Sequence, residues 1–152
     1  MYYIDLTELA GSVPMASFTD YYTVRLHDSD AAGVVFFANV FRIAHDVYEQ
    51  FLKQLGYSFP ERFAGGDFII PIAHAEADYL RPLRVGDMVE ITAAVAEIGD
   101  SSFIMKFQIV DSENRLLATV KTVHVAVDGR TFHRMTLPED FKKRLAQAAD
   151  IA

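Results

Sequence analysis

The chain contains no cysteine. That excludes disulfides, thiolate metal sites and a cysteine nucleophile, and it suits a reducing compartment, so we expect a cytoplasmic protein. Cations are also scarce. The 14 Lys and Arg stand against 21 Asp and Glu, a formal charge of −7. A nucleic-acid partner is therefore not expected, because phosphate contacts need a basic surface. An acidic chain that handles an anionic ligand must gather its few Arg and Lys locally. No window approaches the eighteen or so continuous apolar residues of a membrane span. The first residues, MYYIDLTELAG, place Asp5 and Glu8 where a signal peptide has a basic start and an unbroken apolar core. Neither a membrane span nor export is expected, and repeats and low-complexity segments are missing too.

What is present is an ordinary globular composition: 152 residues, 51% apolar and 23% charged, enough for one good core and too few for two. From Val40 the apolar residues Ile43, Ala44, Val47, Tyr48, Phe51, Leu52 and Leu55 step by three and four. Arg42, Asp46, Glu49, Gln50 and Lys53 fill the other side, which predicts an amphipathic helix of about four turns. Gly56 stands where a helix C′ glycine belongs. Pro60 to Gly66 reads as a loop. Asp67 to Tyr79 reads as extended, with Ala73, Ala75 and Ala77 making one face small enough for a helix to approach closely.

Three further β-rich runs follow, Met88 to Ile98, Ser102 to Val110 and Arg115 to Val127, separated by Gly99-Asp100-Ser101 and Asp111-Ser112-Glu113-Asn114. Phe103, Met105, Phe107 and Ile109 alternate with mostly polar neighbours, and the turn chemistry predicts an antiparallel meander of successive strands. Pro138 to Ala149 predicts a short terminal helix opened by Pro and acidic residues. The fold class is α+β: one long central helix packed on an antiparallel β-sheet, with a short C-terminal helix. Such a two-layer unit leaves sheet edges and one sheet face exposed, so it should oligomerise.

The stretch HDSDAAGVVFFAN, residues 27 to 39, carries the chemistry. It places Asp28 and Asp30 where a strand hands over to a helix. First-turn N–H groups have no intrahelical partners and carry partial positive charge, so they can hold an oxyanion beside a carboxylate that attacks a carbonyl or activates water. Gly33, without a Cβ, lets a ligand carbonyl approach the backbone. The competing reading is that these acidic residues only cap the helix.

The same residues resemble a known family. Asp28, Asp30, Gly33, Val34, Val35, Phe36, Phe37 and Asn39 match, with spacing preserved, the Asp-x-Asp-x-x-Gly-[Ile/Val]-Val-aromatic-aromatic-x-Asn signature of hotdog-fold acyl-CoA thioesterases of the 4-hydroxybenzoyl-CoA type. A second block, GDFIIPIAHAEADYLRPLRVGDMV from Gly66 to Val89, is similar to the one in 1,4-dihydroxy-2-naphthoyl-CoA thioesterases of phylloquinone synthesis. The resemblance runs from about Ser17 to Pro138. It implies a single hotdog domain over residues 17–152, preceded by an extension, 1–16, with no counterpart in the family. It implies a homodimer joined edge to edge or a homotetramer built from it, and catalysis without metal or organic cofactor. The implied reaction is hydrolysis of an aromatic acyl-CoA, most closely 1,4-dihydroxy-2-naphthoyl-CoA, with a broader acyl-CoA hydrolase and a non-catalytic acyl-CoA binding module as alternatives.

Carried over by position, Asp30 becomes the catalytic carboxylate and the backbone N–H of Phe37 the donor to the thioester carbonyl. A weakly resonance-stabilised thioester accepts either direct carboxylate attack or attack by a water that the carboxylate deprotonates. Phe37 stands where the type member of the family has tyrosine. The main-chain donor is unaffected, but a phenolic contact is lost. Asp28 reads either as an electrostatic partner of Asp30 or as a local cap, and Asn39 either touches ligand or braces the first turn. His74, on the alanine-rich strand, either holds a substrate oxygen or is satisfied within the fold. Phe36, Phe37, Phe68 and Ile70 offer a face for a flat aromatic acyl group, or belong to the core. For CoA phosphates the candidates are Arg81, Arg84, Lys106, Lys121, Arg130 and Arg134, with Arg81 and Arg84 favoured because they flank Pro82 in the second block. His45 and Glu49 lie one helical turn apart. They give either an exposed pair or the helix-borne carboxylate used by another branch of the fold; no HExxH pattern points to metal.

Overall fold

The computed structural model describes residues 17–57 and 66–150. The expected extension 1–16 and all but the last residue of the expected loop 60–66 lie outside them. Strand β1 (Ser17–Thr23) leads through a 3-10 turn (Leu26–Asp28) to helix α1 (Phe37–Gln54). Strands β2 (Phe68–Ile69), β3 (Ile72–Tyr79), β4 (Met88–Ile98), β5 (Ser102–Val110), β6 (Leu116–Val125) and β7 (Val127–Asp128) follow, then helix α2 (Glu139–Asp150).

Helix α1 buries Val40, Ile43, Ala44, Val47, Tyr48, Phe51 and Leu52, the stripe that the periodicity predicts. It begins a turn earlier than the pattern, at Phe37, because its N-terminus has no polar cap to mark it: Phe36 occupies the N-cap without a side-chain hydrogen bond. Its end is the predicted glycine. Gly56 has φ +82°, its N–H donates to Lys53 O at 3.0 Å, and Tyr57 N–H donates to Leu52 O at 2.9 Å, a Schellman closure that only a left-handed residue permits at low cost.

The helix lies on a five-stranded antiparallel sheet in the order β1-β4-β5-β6-β3. Strand β5 is the centre of the core: Phe103, Met105, Phe107 and Ile109 are all buried. On this sheet face a large ring sits between smaller neighbours, Phe107 between Ala93 on β4 and Val120 on β6. The three runs Met88 to Ile98, Ser102 to Val110 and Arg115 to Val127 form the expected antiparallel meander, β4-β5-β6. Only β4, β5 and β6 are successive neighbours; β3 pairs with β6 at the far edge, with Ala77 opposite Val120. The eight residues from Leu80 to Asp87, with Pro82 among them, are too long for a tight hairpin and carry the chain away from β3. The expected single extended run 67–79 is broken: β2 leaves it to pair with β7.

Helix α2 buries Phe141 and Leu145. Phe141 meets Tyr57 edge-on at 4.8 Å, Phe103 at 5.7 Å and Phe68 at 5.8 Å, closing the core beyond the C-terminal end of α1. Among the described residues no helix is long and apolar enough to cross a membrane.

Candidate active site

Residues 28 to 36 form a small hairpin that delivers the chain to the N-terminus of α1. Phe36 N–H donates to Asp28 O at 2.8 Å, Ser29 bridges Val35, and Asp30 N–H donates to Val34 O at 2.9 Å. The tip is a tight turn closed by Gly33 N–H to Asp30 O at 3.0 Å, with Gly33 at φ +74°. Glycine suits that left-handed position, and a Cβ there would meet nothing within 4 Å, so backbone conformation rather than space favours it.

Asp30 is exposed. Its Oδ1 accepts Ala32 N–H at 2.8 Å, an Asx turn that holds the side chain over the tip. Its Oδ2 has no protein partner among the described residues. Phe37 is the first residue of α1, so its N–H and that of Ala38 have no acceptor within the helix. Two rungs of hairpin, about 7 Å, separate Asp30 from the Asp28–Phe36 rung that opens the helix. A carboxylate oxygen without a protein partner and helix-terminal N–H groups without an intrahelical acceptor thus lie in one short segment of the chain. That arrangement can attack or hydrate a carbonyl and stabilise the resulting oxyanion.

Asp28 has a different environment. It is fully buried, and its Oδ2 accepts Tyr22 OH at 2.7 Å and Arg25 N–H at 2.8 Å. Its Oδ1 pairs with Arg42 of α1, and His27 lies 3.6 Å away. Burial pushes its carboxyl upward, but the Tyr22 and Arg25 hydrogen bonds and the Arg42 and His27 charges outweigh burial and hold it below the ordinary carboxylate value. Asn39 Nδ2 donates to Asp28 O at 2.9 Å, so this amide braces the hairpin against the helix.

The other predicted residues are not all in one place. Phe36 (42% exposed) and Phe37 (61% exposed) stand open at the helix start, their rings 4.7 Å apart. Phe68 instead packs against the core beside Phe141, at the opposite end of an 18-residue helix about 27 Å long, with Ile70 also against the core. His74 shares a sheet face with Val123 and not with the buried Thr122 and His124, so it points away from α1. There it contacts Glu76 at 2.9 Å, and Glu76 in turn meets Lys121 at 3.5 Å. Arg81 Nη1 donates to Leu116 O at 2.7 Å. Arg84 is next to the hairpin, its backbone bridging Val34, and its guanidinium has no partner among the described residues. Arg134 donates to Ser101 Oγ, whereas the Lys106 and Arg130 side chains make no ion pair among the described residues. His45 and Glu49 form an exposed contact at 3.8 Å. Among the described residues no three His, Asp or Glu side chains gather as a metal site.

One residue that sequence reasoning missed is Tyr79. From the end of β3 its hydroxyl donates to Phe37 O at 2.7 Å. A phenol thus stands beside Phe37 after all, supplied by another element. Together with Val34, Val35, Val40, Leu80, Arg81, Pro82 and Leu83, Tyr79 lines a cleft of about 250 Å³. The signal was available: Ala75, Ala77 and Tyr79 share one face of β3 by simple alternation.

Comparison with known proteins places these features in a family context. Residues 24–145 match the model of the thioesterase-like superfamily. A 1,4-dihydroxy-2-naphthoyl-CoA hydrolase of Rippkaea orientalis is 39% identical over 125 residues, covering 81% of this chain and 91% of that one. The protein of the same name from Synechococcus elongatus is 35% identical over 137 residues, covering 90% and 100%. Among solved structures, a 1,4-dihydroxy-2-naphthoyl-CoA thioesterase from Synechocystis superposes with a TM-score of 0.80 at 28% identity, covering 86% of this chain and 96% of that one.

Proposed function

This chain belongs to the thioesterase-like superfamily, and from that membership we propose that it hydrolyses 1,4-dihydroxy-2-naphthoyl-CoA to the free acid and CoA, a step of phylloquinone or menaquinone biosynthesis. The substrate rests on the relatives' names. The chemistry rests on one observation: the Asp30 carboxylate, with Oδ2 free, rises from a hairpin whose other arm becomes the N-terminus of α1. Asp30 attacks the thioester carbon, or takes a proton from the water that does. Negative charge then develops on the carbonyl oxygen, and the Phe37 N–H stabilises it by a few kcal/mol, as single oxyanion donors do. The C–S bond breaks and the CoA thiolate takes up the proton that the water gives up; on the first route water then cleaves the mixed anhydride left on Asp30, which releases the free acid and restores the carboxylate. No metal or organic cofactor is required for these steps.

The working unit is a homodimer, or a homotetramer built from it. Seven of the eight residues of β3 are exposed along a sheet edge, the apolar Ile72 and Tyr79 among them, and Phe36 and Phe37 stand uncovered at its Tyr79 end. An unpaired edge flanked by apolar side chains favours pairing with a second copy, which would also enclose the space between Asp30 and Phe37. The acyl group then lies against Phe36 and Tyr79. Arg84, with its guanidinium free beside the hairpin, is the first candidate for a CoA phosphate. Residues 17 onward act as one hotdog domain, and the cysteine-free chain works in the cytoplasm.

A thiol-release assay over a panel of aromatic and aliphatic CoA esters tests the proposal. Clear preference for the dihydroxynaphthoyl ester is expected. A flat profile across aliphatic esters would point to a broad hydrolase, and binding without released thiol would make the protein an acyl-CoA binding module.

A further inference from the structure

The two arms of the 28–36 hairpin are anchored in different ways. The second arm is tied to the body of the protein by Val35, buried in the core with its N–H donating to Leu83 O at 2.8 Å, and by the Val34–Arg84 bridge. The first arm, which carries Asp30, has no apolar anchor: Ser29 is half-buried, and Asp30, Ala31, Ala32 and Gly33 are exposed. What fixes it is Asp28. Through its side chain this residue receives Tyr22 OH from β1, Arg25 N–H from the 3-10 turn and the Arg42 guanidinium from α1. Through its carbonyl it receives Phe36 N–H and Asn39 Nδ2. Arg42 is held in turn by Tyr22 OH at 3.1 Å and Asp46 at 3.1 Å. One residue therefore joins β1, the 3-10 turn, both hairpin arms and the first two turns of α1.

We propose that Asp28, Tyr22 and Arg42 are positioning residues: they set the distance between the Asp30 carboxylate and the Phe37 N–H without touching substrate. The inference rests on the assignment of those two groups made above. A buried ion pair is a poor source of stability, since an apolar replacement of the same shape is often as good. It does fix relative placement, because its partners arrive from three elements with directional bonds. Asp30 follows Asp28 by two residues and Phe37 follows the bonded Phe36 by one, so a shift at the junction moves the two reacting groups relative to each other. Near-attack geometry tolerates little of this: a misplacement of about 1 Å costs about 100-fold in rate.

The test measures kcat and KM of thiol release from 1,4-dihydroxy-2-naphthoyl-CoA for Tyr22→Phe, Arg42→Met, Arg42→Lys and Asp28→Asn, with Asp30→Asn alongside. The charged and titratable groups facing Asp28 are Tyr22, His27 and Arg42, with Asp46 behind Arg42. For Tyr22→Phe and Arg42→Met, which keep the Asp28 carboxylate, kcat falls about 10- to 100-fold while KM stays within about threefold and circular dichroism shows the folded protein. Arg42→Lys, which keeps the charge on α1, recovers part of the loss. Folded variants with wild-type kcat overturn the inference, as does a loss of activity that tracks the melting temperature and vanishes on cooling. If Asp28→Asn fails to fold, the Tyr22 and Arg42 variants still decide. The two layers separate cleanly: inactive Asp30→Asn with wild-type Tyr22→Phe and Arg42→Met sinks only the positioning role, whereas active Asp30→Asn sinks the assignment beneath it.

Discussion

Lowering the pH from 7.5 to 5 should cost the folded protein about 2 kcal/mol through one side chain, His124. This residue on β6 is 1% exposed. Its ring stacks on Phe103 at 4.7 Å and 6° and lies 4.4 Å from the Tyr48 ring. Nε2 is 2.8 Å from Thr122 Oγ1, and Nδ1 is the one buried side-chain N or O atom without a hydrogen-bond partner among the described residues. Burial, with the His45 charge as a second cause, pushes its pKa from 6.5 down to about 3. Between those values the unfolded chain binds a proton that the native state refuses, so stability falls as pH drops below 6.5 and the loss is complete near pH 3. At pH 5 the gap is about 1.5 pH units below the unfolded value, or about 2 kcal/mol; the ceiling of about 5 kcal/mol belongs to pH 3. Asp28, whose carboxyl is held low, contributes stability that is lost only as pH falls through and below the ordinary carboxylate range, so it does not confound the comparison at pH 5. Urea denaturation of wild type and His124→Gln at both pH values is the assay. The variant is weaker at pH 7.5 but loses about 2 kcal/mol less on acidification, because the four other histidines are common to both. Equal losses in the two proteins would refute the reasoning.

Three more outcomes follow from the fold. Phe107→Ala, in the middle of β5 and 1% exposed, should lower the unfolding free energy by about 3–5 kcal/mol in denaturant. Gly56→Ala should cost about 1 kcal/mol from its positive φ, and more if Arg144 Nη1, which the new Cβ would approach to 2.7 Å, must leave Leu55 O; thermal melts read this directly. Sedimentation equilibrium should give two or four times the 17.1 kDa chain mass, and a fully active monomer would contradict an enclosed site at the β3 edge.

How much of this was legible beforehand depends on the range of the interaction. Helix α1, strands β4 to β6 and α2 announce themselves because periodicity, glycine and turn residues act within a few positions. The partner of β3 is invisible locally, since its pairing with β6 is settled by which sheet edge the helix and the Leu80–Asp87 crossover leave available. The site divides the same way. Asp30, Gly33 and Phe37 fall within one short segment, the hairpin and the helix start that follows it, and could be proposed from one motif. The fate of Asp28 could not, because Arg42 lies fourteen residues on and Tyr22 on another strand. Local reasoning sees a capping aspartate, and Asp28 does accept Arg25 N–H in that manner; the ion pair beneath it is tertiary. Phe68 and Phe37 both read as aromatic surface, yet α2 claims the first for the core.

The central claim is that the carboxylate at position 30 performs the chemistry, rather than the helix-borne carboxylate of Glu49. Hydrolysis of 1,4-dihydroxy-2-naphthoyl-CoA by wild type, Asp30→Asn and Glu49→Gln, followed side by side as thiol release, decides between them. The account predicts that Asp30→Asn loses turnover by about 1,000-fold or more while Glu49→Gln, whose side chain is half exposed on α1, stays near wild type. Undiminished hydrolysis by Asp30→Asn, or collapse only in Glu49→Gln, would contradict it.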